Sequence, residues 1–278
     1  MKTDVILISY NQEVYIAKAV ESVIMQKTES EVRVIVADDC STDDTLNIIK
    51  SYEKKSKFKF VYMNHKHNLG YHENYRRAFS VCDGDYVAIL EGDDWWSSEN
   101  HLQQHVAFLS RHKKYSMSFN NINFYNEKTC KYAIRYWPYS KDYFEYSLKD
   151  LIVNGNQIGN LSSCVFRTRL IHKLPEEFFM LDFADWELGM WMAQFGNVVK
   201  LKESTSVYRL NDKGQWTKLD SDSKKQSIVA SLNAMNSLFK FKYKRMFDKG
   251  LCNIMKGVEP KPYMTFNTKI KRLLHLKK

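Results

Sequence analysis

The stretch Gly84-Asp85-Tyr86-Val87-Ala88-Ile89-Leu90-Glu91-Gly92-Asp93-Asp94-Trp95-Trp96 decides how the rest of the sequence is interpreted. Its apolar run predicts a buried strand, and three carboxylates follow that run within four residues. Like charges at the end of a buried strand need a counter-charge, and carboxylate oxygens suit Mg²⁺ or Mn²⁺ whose shell a diphosphate completes. A divalent-metal site is therefore predicted here. The alternative is a solvated acidic turn that begins the next helix.

Upstream of this stretch, β-branched runs alternate with helical patterns. The predicted strands are Val5–Ser9, Val32–Ala37, Phe58–Met63 and Tyr86–Leu90, and the predicted helices lie near Val14–Gln26, Thr42–Lys54 and His72–Val81. Such alternation predicts βαβ units and a mostly parallel sheet flanked by helices, which is the α/β class. Asp38 and Asp39 directly follow the second strand, so the strand ends carry acidic loops. The alternative for this pair is a helix cap without a ligand.

Downstream, the pattern is more mixed. Helices are predicted over Glu99–Arg111 and Asp185–Phe195, and strands over Tyr115–Tyr125, Lys131–Trp137, Cys164–Arg167, Val198–Leu201 and Ser204–Arg209. Beyond about residue 222 the sequence becomes helical and basic. We therefore predict one domain over residues 1–221 and a basic helical C-terminal extension over residues 222–278.

Charge is divided unequally along the 278 residues. The net charge is +10, yet residues 223–278 hold fourteen Lys or Arg and only two acidic residues, which leaves the body at −2. This division argues against a body that binds nucleic acid. The five cysteines are scattered, without a disulfide or zinc pattern, and predict a reducing cytosol. No signal peptide or membrane span is expected, since no apolar run is long enough.

Four short motifs occur in order within the first hundred residues: Ser9-Tyr10-Asn11-Gln12, Ala37-Asp38-Asp39-Cys40-Ser41-Thr42-Asp43, Asn68-Leu69-Gly70 and Glu91-Gly92-Asp93-Asp94. With these motifs the chain resembles the family 2 glycosyltransferases of bacterial type, and the likeness continues to about residue 217. The resemblance implies the GT-A fold, with a Rossmann-like central sheet. It also implies a nucleotide-binding half over about residues 1–97 and an acceptor-binding half over about 98–221.

The resemblance implies a metal-dependent transferase that moves a sugar, with inversion, from a nucleotide-diphosphate sugar to a hydroxyl group. UDP is the default nucleotide, and the cofactor is Mn²⁺ or Mg²⁺. The residues expected to bind the donor are Ser9, Tyr10, Asn11, Asp38, Asp39, Asn68, Gly70, Glu91, Gly92 and Asp93. Asp93 is the expected direct metal ligand. Glu91 replaces the usual first Asp of the D-x-D motif and is expected to contact the sugar, the ribose or the metal.

A general base is expected far along the chain, to deprotonate the acceptor hydroxyl. The segment Ala184-Asp185-Trp186-Glu187-Leu188 looks like the family's E-D-x-x-L segment, which places the base at Asp185, with Glu187 as the second candidate. Alternatively, both carboxylates only stabilise the first turn of their helix. Weaker candidates for acceptor or diphosphate contacts are Asp94, Trp96, Trp186, Arg209, Lys213 and Asn211, which replaces a His of related sequences.

The basic residues 223–278 suit an anionic membrane surface, and a solvated helical cap or an oligomer contact explains them equally well. A cytoplasmic enzyme peripheral to the inner face of the plasma membrane would meet a glycan or lipid-linked acceptor there. Bacterial surface polysaccharide, capsule or lipopolysaccharide synthesis is the expected role, and no nucleic-acid partner is expected. Two alternatives remain open: a degenerate GT-A protein that binds membranes or nucleic acid through its tail, and a nucleotidyltransferase with the same fold.

Overall fold

A computed structural model describes residues 1–63, 65–134, 137, 140–211 and 219–257. Its first half consists of β1 (Lys2–Ser9), α1 (Ile16–Ile24), β2 (Glu31–Asp38), α2 (Thr45–Glu53), β3 (Lys59–Tyr62), α3 (Tyr71–Ser80) and β4 (Tyr86–Glu91). Strands β3, β2, β1 and β4 are neighbours in that order and run parallel. The predicted alternation of strands and helices is therefore confirmed, and the carboxyl ends of the strands lie along one edge.

The second half adds mostly shorter elements: β5 (Trp95–Trp96), α4 (His101–Arg111), β6 (Met117–Asn126), β7 (Lys131–Ile134), β8 (Tyr143–Tyr146), α5 (Leu148–Val153), β9 (Cys164–Arg167), α6 (Thr168–Ile171), α7 (Asp185–Met192) and β10 (Val198–Leu210). Strand β9 joins β4 to β6, and both pairings are antiparallel. Strand β10 runs parallel to β6, so the sheet continues from β6 to β10 and then β5. This half of the sheet is mixed rather than parallel.

Alternating side chains of β1 supply two cores on opposite faces of the sheet. Val5 and Leu7 pack with α1 and α4, whereas Ile6 and Ile8 face the side that carries α3, α5 and α7. This period of two is expected of a strand that is buried on both faces. The layered α/β architecture with helices on both faces follows from it.

Helices α8 (Ser221–Leu238) and α9 (Lys244–Met255) follow the sheet. Their apolar residues Leu232, Met235 and Phe247 are fully buried and belong to the core on the α5 and α7 side. A Cβ atom on Gly250 of α9 would lie 2.5 Å from the backbone oxygen of Ile152 in α5, so α9 and α5 approach each other very closely. The basic segment thus carries an apolar side that is packed on the domain. Within the described ranges, no helix is both long and apolar enough to cross a membrane.

Candidate active site

The carboxyl ends of β1 and β2 bring the first two motifs together. Ser9 and Asp38 are register partners, and the Ser9 hydroxyl donates to the Asp38 carboxylate at 2.9 Å. Ser41 donates to the same carboxylate from its backbone N–H and its hydroxyl, at 3.0 and 2.6 Å. Asn11, which has a left-handed φ of 51°, accepts from the backbone N–H of Thr42 at 2.8 Å. These contacts hold the two loops side by side, and Tyr10 stays 45% exposed beside them.

Asp39 organises the third motif. Its buried carboxylate accepts the backbone N–H groups of Leu69 and Gly70, both at 2.8 Å, and a ring nitrogen of His65 lies 2.9 Å away. The Asn68 amide donates to the backbone oxygen of Asp39 at 3.2 Å. The carboxylates of Asp38 and Asp39 therefore both serve donors of the protein itself. The predicted donor-binding residues of the first three motifs thus come together, and the two aspartates stabilise the loops that carry them.

The end of β4 carries the three carboxylates of the opening stretch. Gly92 lies between them in a tightly packed place, where a Cβ atom would be 3.1 Å from the Ile16 side chain and 3.2 Å from the Ile8 oxygen. Glu91 and Asp93 are half-buried, whereas Asp94 is only 1% exposed. The sharp turn at Gly92 thus keeps all three carboxylates within one small volume.

Burial and mutual repulsion raise the pKa values of these carboxyls. The pKa of Glu91 is held well above its usual range by burial and then by the charges of Asp94 and Asp93. Burial also raises the pKa of Asp93, against hydrogen bonds from its own backbone and from Asn211. The pKa of Asp94 is raised to about 8, first by burial and then by Asp93. A cation at this place would relieve the repulsion that the three groups share.

Arg209 and Asn211 at the end of β10 hold this turn. The backbone N–H of Arg209 donates to Asp94 at 2.9 Å, and its Nε donates to the backbone oxygen of Asp93 at 2.8 Å. The guanidinium also lies 3.5 Å from Glu127 and 4.5 Å from the ring centre of Tyr15. The Asn211 amide donates to Asp93 at 3.3 Å. Arg209 therefore fixes the turn of residues 91–94, where the metal is predicted and which is here called the metal motif, and Lys213 lies outside the described residues.

Asp185 begins α7 and is 9% exposed. Its Oδ2 atom accepts from the Asn156 amide at 2.8 Å and from the backbone N–H of Gly159 at 2.5 Å. The charge of Asp185 also contributes to the raised pKa of Glu91, after burial, Asp94 and Asp93. Glu187 instead accepts the backbone N–H of Ala184 at 2.9 Å, as the N3 residue of a capping box does. Burial raises the pKa of Glu187, while a hydrogen bond with Ser231 opposes that rise.

Residues 154–163, here called the asparagine loop, join these two centres. At one end Asn156 and Gly159 hold Asp185, and at the other the Asn160 amide donates to Asp94 at 2.9 Å. Ser162 also donates to Asp94, at 2.7 Å. Sequence reasoning missed this loop. The signal in the sequence that points to it is a group of three asparagines, Asn154, Asn156 and Asn160, with Gly155 and Gly159 between them.

The two tryptophans suggested for acceptor binding lie in the core. Trp96 is 1% exposed, stacks on His101 at 4.4 Å and donates its indole N–H to the backbone oxygen of Ser162. Trp186 is 5% exposed and donates to the backbone oxygen of Leu151 at 2.9 Å. Neither ring presents a face to an acceptor. Trp96 is bonded to Ser162 of the asparagine loop, and Trp186 is bonded to Leu151 of α5, which precedes that loop, so both tryptophans help to hold the loop in place.

The side chains present fit a divalent cation. Across the described ranges, no group of three or more His, Cys, Asp or Glu side chains is arranged to hold a metal ion. Mg²⁺ and Mn²⁺ do not require such a group, because they bind one or two carboxylates and take water and phosphate oxygens for the rest. Glu91 and Asp93 offer hard oxygen ligands in an environment that disfavours their unpaired charges.

Comparison with known proteins decides the family. A model described as glycosyl transferase family 2 matches residues 4–173 of the chain. The chain belongs to this family. One curated relative is the Mycobacterium tuberculosis protein Rv1520. It is 31% identical to this chain over 244 residues, which are 84% of this chain and 68% of Rv1520. Another is the poly(ribitol-phosphate) beta-N-acetylglucosaminyltransferase TarS of Staphylococcus aureus. It is 36% identical over 116 residues, 40% of this chain and 19% of TarS.

Solved structures identify the fold as GT-A. TarS 1–349 with UDP-GlcNAc has a TM-score of 0.58 at 19% identity, over 92% of this chain and 81% of that one. Against the TarS structure with UDP, this chain spans 66% of the solved chain. The Pyrobaculum calidifontis mannosyltransferase PcManGT, in complex with GDP-Man and Mn²⁺, has a TM-score of 0.61 at 15% identity, over 84% of this chain and 63% of that one. The predicted fold class is thereby confirmed.

Proposed function

We propose that this protein transfers a sugar from a nucleotide-diphosphate sugar, with UDP as the expected nucleotide, to a hydroxyl group of a glycan or lipid-linked acceptor. The observation that carries the proposal is that the asparagine loop is hydrogen-bonded both to Asp185 and to Asp94 at the end of β4, whose neighbours in the sheet are β1 and then β2. Such a site holds a donor diphosphate on one side and a base on the other. Family membership and the donors bound in TarS and PcManGT support this proposal.

In this proposal the loops at Ser9–Asn11 and Asp38–Asp39 bind the nucleotide, with Asn68 and Gly70 lining the same pocket. Asp93 and Glu91 hold Mn²⁺ or Mg²⁺. When bound, that cation neutralises the negative charge that grows on the leaving nucleotide diphosphate. Arg209 and Asn211 keep the turn of Asp93 in place, because their hydrogen bonds fix its backbone and its carboxylate.

Asp185 acts as the general base. It accepts the proton of the acceptor hydroxyl while the oxygen attacks the anomeric carbon on the face opposite the leaving group, and this single displacement inverts the configuration. We place the acceptor in cell-surface polysaccharide synthesis, such as capsule or lipopolysaccharide assembly, on the cytoplasmic side of the membrane. The basic residues 223–278 would then bring the enzyme to an anionic membrane surface.

The first experiment measures thermal stabilisation of the protein by UDP, dTDP, GDP and CMP, each with Mn²⁺ or with chelator. A ligand at a hundred times its dissociation constant adds about 2.7 kcal/mol to the free energy of unfolding. We expect a metal-dependent shift with one nucleotide, most of all UDP. If none of the four nucleotides shifts the melting temperature, the protein is not a nucleotide-sugar transferase.

The second experiment separates the roles of two carboxylates. Asp93→Asn is expected to abolish the metal-dependent part of nucleotide stabilisation, because an amide oxygen is a weaker ligand without charge. Asp185→Asn is expected to keep that stabilisation and to reduce transfer at least 100-fold, since an amide cannot accept the acceptor proton. The exposed Asp142→Asn serves as the control. Equal loss of nucleotide binding in both variants would contradict the assigned roles.

A further inference from the structure

Asn156 makes two hydrogen bonds with different tasks. Its Oδ1 atom accepts the backbone N–H of Ile158 at 2.9 Å, which closes a local turn at the start of the asparagine loop. Its Nδ2 atom donates to Oδ2 of Asp185 at 2.8 Å. One atom of the amide therefore shapes the loop, and the other reaches across to the first residue of α7. The two contacts can be separated by a substitution that keeps one and removes the other.

Two donors of the asparagine loop meet on a single oxygen of Asp185. The backbone N–H of Gly159 reaches the same Oδ2 atom as the Asn156 amide. Because a terminal carboxylate rotates easily about its last bond, two donors on one oxygen fix the plane of the group. The asparagine loop also holds Asp94 through Asn160 and Ser162. The loop thus sets the orientation of Asp185 relative to the metal motif.

Other titratable groups that interact with Asp185 come from several elements. They are Glu91 on β4, Glu187 on α7, Tyr71 on α3, Tyr208 on β10 and Cys164 on β9. Glu91 and Glu187 are carboxyl groups, whereas the two tyrosines and the cysteine are uncharged when they carry their protons. Against these groups, Asn156 offers the Asp185 carboxylate a neutral side-chain donor.

We propose that Asn156 is a positioning residue that orients the Asp185 carboxylate for proton transfer from the acceptor hydroxyl. This inference rests on the proposed function, in which Asp185 is the general base. A base oxygen that points at the acceptor hydroxyl raises the rate of the chemical step. If that orientation is lost, kcat falls while donor binding stays the same. The expected signature is therefore a change in kcat and in its pH dependence, with KM for the donor unchanged.

Asn156→Asp tests this inference with a side chain of nearly the same shape. The variant keeps an oxygen for the Ile158 N–H, so the local turn survives, and it replaces the Nδ2 donor with a second carboxylate against Asp185. We expect kcat at pH 7 to fall about 10- to 100-fold, in the range that outer-shell partners give. The acid limb of the kcat profile should move upward by about one pH unit, since a neighbouring like charge raises the pKa of a base.

The matched control is Asn154→Asp in the same loop. Asn154 is exposed, and its side-chain contact is with Asp150 at 3.4 Å rather than with Asp185. It receives the same change of charge and should keep kcat within about twofold of the wild type. Asn156→Ala removes both hydrogen bonds without adding charge, and it is expected to lower kcat with a smaller shift of the acid limb.

A readout that is independent of turnover completes the test. The carboxyl ¹³C resonance of Asp185, assigned by its absence in Asp185→Asn, is titrated in wild type and in Asn156→Asp. We expect its midpoint to rise in Asn156→Asp and to stay unchanged in Asn154→Asp. An unchanged midpoint, an unchanged kcat, or equal losses of kcat and of nucleotide stabilisation would each overturn the positioning role. If wild type transfers no sugar, both proposals fall, while the titration still reports whether the hydrogen bond exists.

Discussion

The buried Asp94 carboxylate helps to hold the site together through its hydrogen bonds. Its carboxylate is 1% exposed and accepts three hydrogen bonds, from the Asn160 amide, the Ser162 hydroxyl and the backbone N–H of Arg209. These donors come from the asparagine loop and from β10. Asp94 is therefore a point at which β4, the loop and β10 are joined, and its predicted contact with acceptor or diphosphate stays a prediction.

Asp94→Ala is expected to lower the free energy of unfolding by about 3 kcal/mol or more. The reason is that three buried donors lose their common acceptor, and each unpaired buried donor costs about 1–3 kcal/mol before the structure relaxes. Denaturation by urea, followed by circular dichroism, measures the change. Asp142→Ala, whose carboxylate is 90% exposed, is the control and should lose less than about 0.5 kcal/mol. A loss of that small size in Asp94→Ala would show that Asp94 does not join these elements.

The carboxylates were within reach of sequence reasoning, whereas their partners were not. Glu91, Asp93 and Asp185 stand at a strand end or a helix start, where local pattern places them. Asn156 and Asn160 meet them only after α5, the asparagine loop and β9 have folded over β4, and no periodicity in sequence records such a contact. Trp96 and Trp186 were predicted to face the acceptor because they lie next to motifs in the sequence, but both rings are buried. Position beside a motif does not tell a core ring from an exposed one.

At the scale of elements, α7 is packed in close contact with the asparagine loop. A Cβ atom on Gly189 of α7 would lie 2.1 Å from Cδ1 of Ile158, whose side chain is fully buried. Because Asn156 and Gly159 flank Ile158, this contact sets the distance between α7 and the loop that holds Asp185. A methyl group at position 189 would therefore force the end of the Ile158 side chain to move, whereas the backbone conformation does not call for glycine.

Gly189→Ala is expected to destabilise the protein by about 1–3 kcal/mol, the usual cost of one extra methyl group in a packed core. Ile158→Val, which removes Cδ1, should cost about 0.5–1.5 kcal/mol alone. The double variant should be more stable than the sum of the single losses predicts, because the two changes act on the same contact. Urea denaturation of all four proteins gives the coupling energy, and additive losses would mean that the loop moves away freely.

Element prediction succeeded where the local signal was strong. The strands of the first half and helices α1 to α4 follow from alternation and apolar periodicity, with ends that differ by a few residues. The two late strands predicted at Val198–Leu201 and Ser204–Arg209 form one strand, β10, with an irregularity between Leu201 and Ser206. Short elements such as α5 and β8 were missed, because four to six residues carry too little periodicity and pairing with distant strands decides their state.

At the scale of the whole molecule, the C-terminal helices connect the core to a basic surface. Lys240 and Phe241, between α8 and α9, both have left-handed φ angles, 51° and 58°. Backbone hydrogen bonds from Lys240 to Ser237 and from Phe241 to Asn236 close this turn. A residue other than glycine pays about 1 kcal/mol or more for such a conformation. The turn is thus fixed by its bonds, and it leaves Phe241 58% exposed.

This turn is the part of the basic segment with which the proposed membrane contact can be tested. The exposed Phe241 ring stands between Lys240 and Lys242, and Lys244 and Arg245 follow directly. An aromatic ring inserts among lipid headgroups while neighbouring lysines are attracted to anionic phosphates, each by about 1 kcal/mol near the surface. Nucleic acid would be attracted by the same lysines, so the two partners must be separated by experiment.

We expect the protein to sediment with vesicles that contain anionic phosphatidylglycerol and not with vesicles of phosphatidylcholine alone. Replacing Lys240 and Lys242 together with Ser should weaken binding about 30-fold, since two contacts of about 1 kcal/mol each are removed. Phe241→Ser should weaken binding as well and leave residual binding salt-sensitive. Val14→Ser is the control, because Val14 is 74% exposed and belongs to the loop between β1 and α1 rather than to the C-terminal helices. Binding that survives all these changes, or that RNA displaces completely, would contradict a membrane role for this turn.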